Sequence, residues 1–186
     1  RCSLMLKIFL ILLFFLFATN AKANNKEKII QNLRYTQNLQ FKFEQNINGK
    51  IENGSCTIEY PKKIFCEYSK SNKKILVSNG DTLVIKTISS FYRYPIEKTP
   101  LNFILDKRFL INKISDLEER IIDESYINYK IEENNNEINI FFDKNTFNLV
   151  GWQNIDVYQN FSITYLSSIK KNMIISNNLF KLPVQD

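Results

Sequence analysis

Histidine is absent from this chain, which removes Ser-His-Asp and Cys-His nucleophilic centres and the usual zinc ligands together. What remains is carboxylate and thiol chemistry. Asp116, Glu118 and Glu119 form an acidic cluster, and a hydrolase built on carboxylates needs two of them converging on a cleft, about 5 to 10 Å apart. Their helical spacing among polar residues reads instead as a solvated face, and no spacing sets a second acid opposite them. Cys56 and Cys66 lie equidistant from residue 61. If the chain reverses at Tyr60-Pro61, an antiparallel pairing brings their Cα atoms to about 4.5 to 5.5 Å, within disulfide range. The alternative is two small hydrophobes facing one interior. Neither has a CxxC partner, so redox catalysis is not expected. The chain is read as a non-enzyme that needs no cofactor and no metal.

The residues that must position these groups number 186, with 25 Lys+Arg against 19 Asp+Glu, net charge +6 and pI about 9.1. At 44% hydrophobic and 24% charged, the composition is that of one globular domain. Residues Arg1 to Leu4 precede Met5-Leu6-Lys7, an apolar run from Ile8 to Ala18, and Ala21-Lys22-Ala23. A positive charge, a short apolar core and a small-x-small site are the parts of a cleaved export signal over residues 1–23; a retained membrane anchor is the alternative. Its eleven apolar residues would rise about 16 Å as a helix against a bilayer core of about 30 Å. Cleavage after Ala23 removes Arg1, Lys7 and Lys22 and no acid, leaving 163 residues from Asn24 at net charge +3. The remaining lysines and arginines are scattered among acids, so no nucleic-acid footprint is expected.

Along residues 24–186 the apolar positions Ile29, Ile30, Leu33 and Leu39 predict a helix over 26–40. From Phe41 the period becomes two, with Phe41, Phe43, Gln45 and Ile47 on one face and Lys42, Glu44, Asn46 and Asn48 on the other. Asn48-Gly49 and Asn53-Gly54 predict turns. Alternation resumes with Cys56, Ile58 and Tyr60 inward, then Ile64, Cys66 and Tyr68. Further strands are expected over 75–77, 83–85, 89–94, 126–131, 138–142, 149–157 and 161–169. Thr99-Pro100 predicts the N-cap and first residue of a short apolar helix over 100–106, and a polar helix is expected over 114–119. Turns at this spacing suggest an all-β barrel or sandwich. The two apolar helices have to bury faces that one curved sheet cannot all cover. They either form a plug or lid over a cavity or complete an ordinary core.

Phe43-Glu44-Gln45 after the first helix, Gly54, Tyr60-Pro61, the run Ile75 to Leu83, Thr99-Pro100-Leu101 and the ending Leu179-Phe180-Lys181-Leu182-Pro183 resemble, in order, the periplasmic outer-membrane lipoprotein carrier family, LolA. The resemblance covers nearly all of the chain after residue 23. It implies a single curved antiparallel sheet forming an incomplete β-barrel, with a helical lid over an apolar cavity that carries lipoprotein acyl chains through the periplasm. It implies triacylated lipoproteins as cargo, a LolCDE-type inner-membrane ABC transporter as donor, a LolB-type outer-membrane receptor as acceptor where one exists, and a monomer. Family positions at the cavity or lid carry over to Leu33, Ile64 and Ile104. With the inward residues around them, the expected lipid site is Leu33, Phe43, Ile58, Tyr60, Ile64, Tyr68, Leu101, Ile104 and Leu105.

One departure bears on mechanism. The family often has Arg before the hairpin proline, tying lid to barrel, and Tyr60 stands there. A tyrosine donates one hydrogen bond where arginine offers five. Arg34 and Arg93 are candidate substitutes, with solvated surface charge as the alternative. A lipidated receptor needs Cys at the first mature position, whereas Asn24 follows Ala23 and Cys2 precedes the apolar run; this favours the diffusing carrier. The competing reading is a lipid- or lipoprotein-sensing module of the same fold.

Overall fold

In the computed structural model, which describes residues 24–70, 72–156 and 158–185, one sheet organises the chain. Eleven antiparallel strands run β1 (Asn38–Ile47), β2 (Lys50–Glu59), β3 (Lys63–Tyr68), β4 (Ile75–Asn79), β5 (Thr82–Lys86), β6 (Phe91–Pro95), β7 (Arg120–Ile122), β8 (Tyr126–Glu133), β9 (Asn136–Asp143), β10 (Leu149–Ile155) and β11 (Phe161–Lys171). Their order is β6-β5-β4-β3-β2-β1-β11-β10-β9-β8-β7, so β6 and β7 are free edges and the barrel is not closed. The export signal expected over residues 1–23 lies outside the described residues.

Among the described residues there are three α-helices, α1 (Asn25–Tyr35), α2 (Leu101–Ile104) and α3 (Lys107–Asp116). Helix α1 starts at a capping box, in which the Asn24 side chain accepts from Glu27 N at 2.8 Å and Asn24 N donates to Glu27 Oε2 at 3.3 Å. It ends at Tyr35, five residues before the expected limit. Thr36 Oγ1 donates to Asn32 O, and the Asn172 side chain takes Tyr35 O and Gln37 N. These bonds turn the chain into β1, so Leu39 is a strand residue. Thr99 does not cap α2: its hydroxyl closes the preceding turn on Ile96 O at 2.8 Å, and α2 spans four residues only. The polar helix expected over 114–119 is instead α3, capped by Asp106, which accepts from Arg108 N and Phe109 N. Its Leu110 and Ile114 are fully buried.

The expected Asn53-Gly54 turn is absent, and both residues lie inside β2. Gly54 pairs with Phe43 on one side and Tyr68 on the other. A Cβ there would collide with Glu67 O and lie 2.7 Å from the Phe43 ring. The rings of Phe43 and Tyr68 meet edge to face across the missing side chain, centroids 5.0 Å apart. Asn48-Gly49 does turn, with both residues at positive φ, as do Asn134-Asn135 between β8 and β9.

Helices α1 and α3 pack into the concave face over β8 and β9. Ile29, Leu33, Leu110 and Ile114 join Ile127, Tyr129, Ile131, Ile138, Ile140 and Phe142 in one buried cluster. At about 25 cal/mol per Å² of apolar surface, this half is a conventional core. The C-terminal segment crosses the convex face, where Phe180 is buried, Lys63 Nζ stands 5.8 Å from its ring centroid, and Lys86 Nζ donates to Val184 O at 2.9 Å.

Candidate functional site: an apolar cavity at the open end of the sheet

The strands that carry the core at one end carry a cavity of about 330 Å³ at the other. On β1, Leu39 and Phe41 belong to the core and Phe43, Gln45 and Ile47 to the cavity. On β11, Leu166 belongs to the core and Thr164 and Ser162 to the cavity. Its apolar walls are Phe43, Ile64, Leu76, Leu83, Ile85 and Trp152, with Pro100 and Leu101 of the helical segment closing one side. The Cys56–Cys66 pair also lines it. These residues are directly opposed across β2 and β3, Cα atoms 4.1 Å apart, and form a disulfide.

Polar groups on the inner face are bonded to one another. Gln45 Nε2 donates to Ser162 Oγ at 3.0 Å and to Thr164 Oγ1 at 3.2 Å, and Tyr68 OH donates to Gln45 Oε1 at 3.3 Å. Glu52 has a side chain 5% exposed and accepts from Lys74 Nζ at 2.6 Å, with Lys50 Nζ at 3.1 Å. Burial pushes the Glu52 carboxyl up, but the hydrogen bonds and charges of Lys74 and Lys50 together outweigh it and hold the group below the usual carboxylate range. Tyr68 moves the other way, its phenol raised by burial first and then by the charges of Glu52 and Asp156. Neither group is poised near neutrality for proton transfer. Lys74 Nζ also lies over the Tyr68 ring, 4.1 Å from its centroid. Across the mouth, Tyr158 between β10 and β11 meets Tyr92 of edge strand β6, ring centroids 5.7 Å apart.

Of the nine residues expected at a lipid site, Phe43, Ile64, Tyr68 and Leu101 line this cavity. Leu33, Ile58, Tyr60, Ile104 and Leu105 do not: they are buried in the packed core beneath the helices. The short helix divides between the two, with Leu101 on the cavity and Ile104 1% exposed in the core. Gln45, Glu52, Lys74, Trp152, Ser162 and Thr164 were not foreseen. The signal for three of them was the inner-face parity of Gln45, Ser162 and Thr164, where a filled core would carry apolar side chains.

The Tyr60 hydroxyl is no latch. It is buried without a hydrogen-bond partner among the described residues, and burial raises the phenol. Arg34 and Arg93 are exposed surface charges. Lys107 ties α3 to the α1–β1 junction: its Nζ donates to Thr36 O at 2.8 Å and lies within 3.4 Å of Arg34 O and Gln37 Oε1. Lys62 N adds a bond to Leu105 O at 2.8 Å. Asp116, Glu118 and Glu119 are exposed. Glu119 accepts from Asn25 Nδ2 at 3.0 Å and Tyr129 OH at 3.5 Å, so it braces α1 against β8.

A family model described as outer membrane lipoprotein carrier protein LolA matches residues 34–183. No curated protein sequence matches the chain. Among solved structures, an uncharacterized conserved protein from Thermus thermophilus superposes with a TM-score of 0.51 at 8% identity, covering 86% of this chain and 95% of that one. MucB superposes with a TM-score of 0.50 at 7% identity over 86% of this chain and 62% of its own length. A LolA superfamily protein from Nitrosomonas europaea aligns over 86% of this chain and 99% of that one, at 9% identity and a TM-score of 0.44. At these identities the structural likeness is one of fold alone.

Proposed function

This chain belongs to the LolA family, and we propose that it is a periplasmic carrier, released from its signal segment after Ala23, that shields lipoprotein acyl chains in the concave cavity. The observation that carries the reading is an apolar pocket in the concave face of a sheet whose edges are unpaired. Each acyl CH₂ left in water costs about 0.8 kcal/mol, so transit needs cover rather than catalysis. A half-barrel with free edges can widen around a chain without breaking an interstrand ladder. In this proposal the donor is a LolCDE-type inner-membrane transporter and the acceptor, where present, a LolB-type receptor.

The test is transfer. The mature chain from Asn24 is incubated with vesicles holding a triacylated lipoprotein and the ATP-fuelled transporter, and the soluble fraction is weighed by native mass spectrometry. A one-to-one soluble complex is expected. Leu101→Asp, which sets a carboxylate into the cavity wall, is expected to lower its yield at least tenfold, whereas the same charge at Ile104 would damage the core. Lipoprotein that stays wholly in the vesicles while the transporter hydrolyses ATP refutes the carrier reading. If the protein then still takes up a fluorescent fatty acid, the lipid-sensing module remains.

A further inference from the structure

Directly opposed residues form rows across the sheet, and on the concave face polarity changes from row to row. The row nearest the packed core holds Leu83, Ser78, Ile64 and Ile58, and the next holds Ile85, Leu76, Cys66, Cys56 and Phe41. From these two rows Leu83, Ile64, Ile85, Leu76 and the Cys56–Cys66 disulfide line the cavity, while Ser78 turns its hydroxyl away to Lys62 O at 2.8 Å. Further towards the open end, Glu52, Gln45, Thr164 and Trp152 share a row that is polar but for the indole, whose ring meets Phe41 edge to face. The row beyond it holds Lys50, Ile47, Ser162 and Asn154. Between the two zones Phe43 and Tyr68 flank Gly54, and Tyr68 directs its hydroxyl to Gln45 on the polar side. Along β2 the step from Glu52 to Ile58, which pairs with Ile64, is six residues, or about 20 Å at about 3.3 Å per residue.

We infer that the cavity selects an amphiphile with a single polar head and takes it tail first, the chain against the rows of Leu83 and Ile85 and the head at the rows of Gln45 and Ser162. The inference rests on the carrier reading in taking this cavity as the guest site, and deepens it by fixing the guest's direction and the residues that meet its head. Methylene groups laid over the Glu52–Lys74 pair would strip a carboxylate and an ammonium of water and offer no partner in return. An ester, amide or carboxylate head instead exchanges hydrogen bonds there with Gln45, Ser162, Thr164 and Lys74. A head pushed to the other end would find, among the described residues of the two apolar rows, no cavity-lining side chain to bond it. A guest with a head at each end must bury one of them in that zone. At about 330 Å³ the cavity stands at the low end of the range of about 300 to 1,000 Å³ that ligand pockets span, which is room for one acyl chain.

The test uses the mature chain from Asn24 with dodecanoic acid as the probe, carrying a photoreactive diazirine either beside the carboxyl or at the far end of the chain. Cross-linked residues are mapped by mass spectrometry. The far-end probe is expected to mark Leu76, Leu83 and Ile85 on β4 and β5, and the carboxyl-side probe to mark Gln45, Ser162 and Thr164 on β1 and β11. Titration is expected to saturate at one dodecanoic acid per chain. Dodecanedioic acid, with the same chain and a second carboxylate, is expected to compete at least about tenfold more weakly. Reversed labelling, equal labelling of both zones by each probe, or a dicarboxylate that competes as well as the monocarboxylate overturns the inference and leaves the guest site, and with it the carrier reading, in place. A chain that binds neither acid loses both. A chain that orients dodecanoic acid as expected but draws no lipoprotein from vesicles loses the carrier reading alone.

Discussion

Replacing Tyr60 by Phe is expected to raise stability. Tyr60 is 8% exposed, and its hydroxyl has no partner among the described residues. Lys107 Nζ lies 5.8 Å from the ring centroid and directs its N–H groups at Thr36 O, Arg34 O and Gln37 Oε1 instead. A buried hydroxyl without a partner costs about 1 to 3 kcal/mol. Removing one oxygen relieves that cost and leaves the ring in its core contacts, while the small void costs a few tenths of a kcal/mol. The net gain is about 1 to 2 kcal/mol. With a urea dependence of about 2 kcal/mol per molar, the unfolding midpoint rises by about 0.5 to 1 M. Tyr68→Phe is the matched control, because its hydroxyl does donate, to Gln45, and its loss is expected to cost about 0.5 to 1.5 kcal/mol. The two substitutions delete the same atom and should move the midpoint in opposite directions. If Tyr60→Phe lowers the midpoint as Tyr68→Phe does, the hydroxyl has a partner, and the reasoning that moves the latch from Tyr60 to Lys107 fails.

Gly54→Val is expected to destabilise by at least about 3 kcal/mol, since a side chain would drive into Glu67 O and the Phe43 ring; an unchanged thermal midpoint would show that β2 and β3 part there without loss. Reducing the Cys56–Cys66 bond, ten residues apart, is expected to cost about 2.7 kcal/mol by chain entropy, read as the difference in urea midpoint with and without reductant; no difference would count against the bridge. Because Glu52 titrates below the ordinary carboxylate pKa when folded, its contribution is present above about pH 4.5 and lost as pH falls through the folded value. Glu52→Gln should therefore cost about 2 kcal/mol at neutral pH, less than a fully buried pair because Lys50 is 74% exposed, and should flatten the acid limb of the stability profile; a parallel downward shift at every pH would refute the assignment.

Much of this fold was legible because its registers are fixed locally. The reversal at Tyr60-Pro61 sets Cys56 against Cys66, and alternation through Phe41, Phe43 and Gln45 gives the inner face of β1. Local rules failed where a distant chain decided the outcome. Asn53-Gly54 has the composition of a turn, but Phe43 and Tyr68, on the two neighbouring strands, need the space above a glycine and hold β2 straight. Phe109-Leu110-Ile111 obscured the period of α3, because only Leu110 and Ile114 are fully buried. In α2, four residues long, one turn cannot define a face, so nothing local separated Leu101 from Ile104.

The cavity follows from a change in side-chain type along strands that never change direction. On β1 the inner face passes from Leu39 and Phe41 to Gln45, on β11 from Leu166 to Thr164 and Ser162, and on β10 from Trp152 to Asn154. At the apolar end, α1 and α3 fill the concavity. At the other end, Gln45 satisfies Ser162 and Thr164 within the sheet surface, so these groups need no covering element. Phe43, Leu83 and Ile85 are left facing a space that nothing in the described chain fills. A sheet that demanded cover along its whole length would draw the helices over all of it. This one demands cover at one end and satisfies itself at the other, and that asymmetry leaves room for an apolar guest.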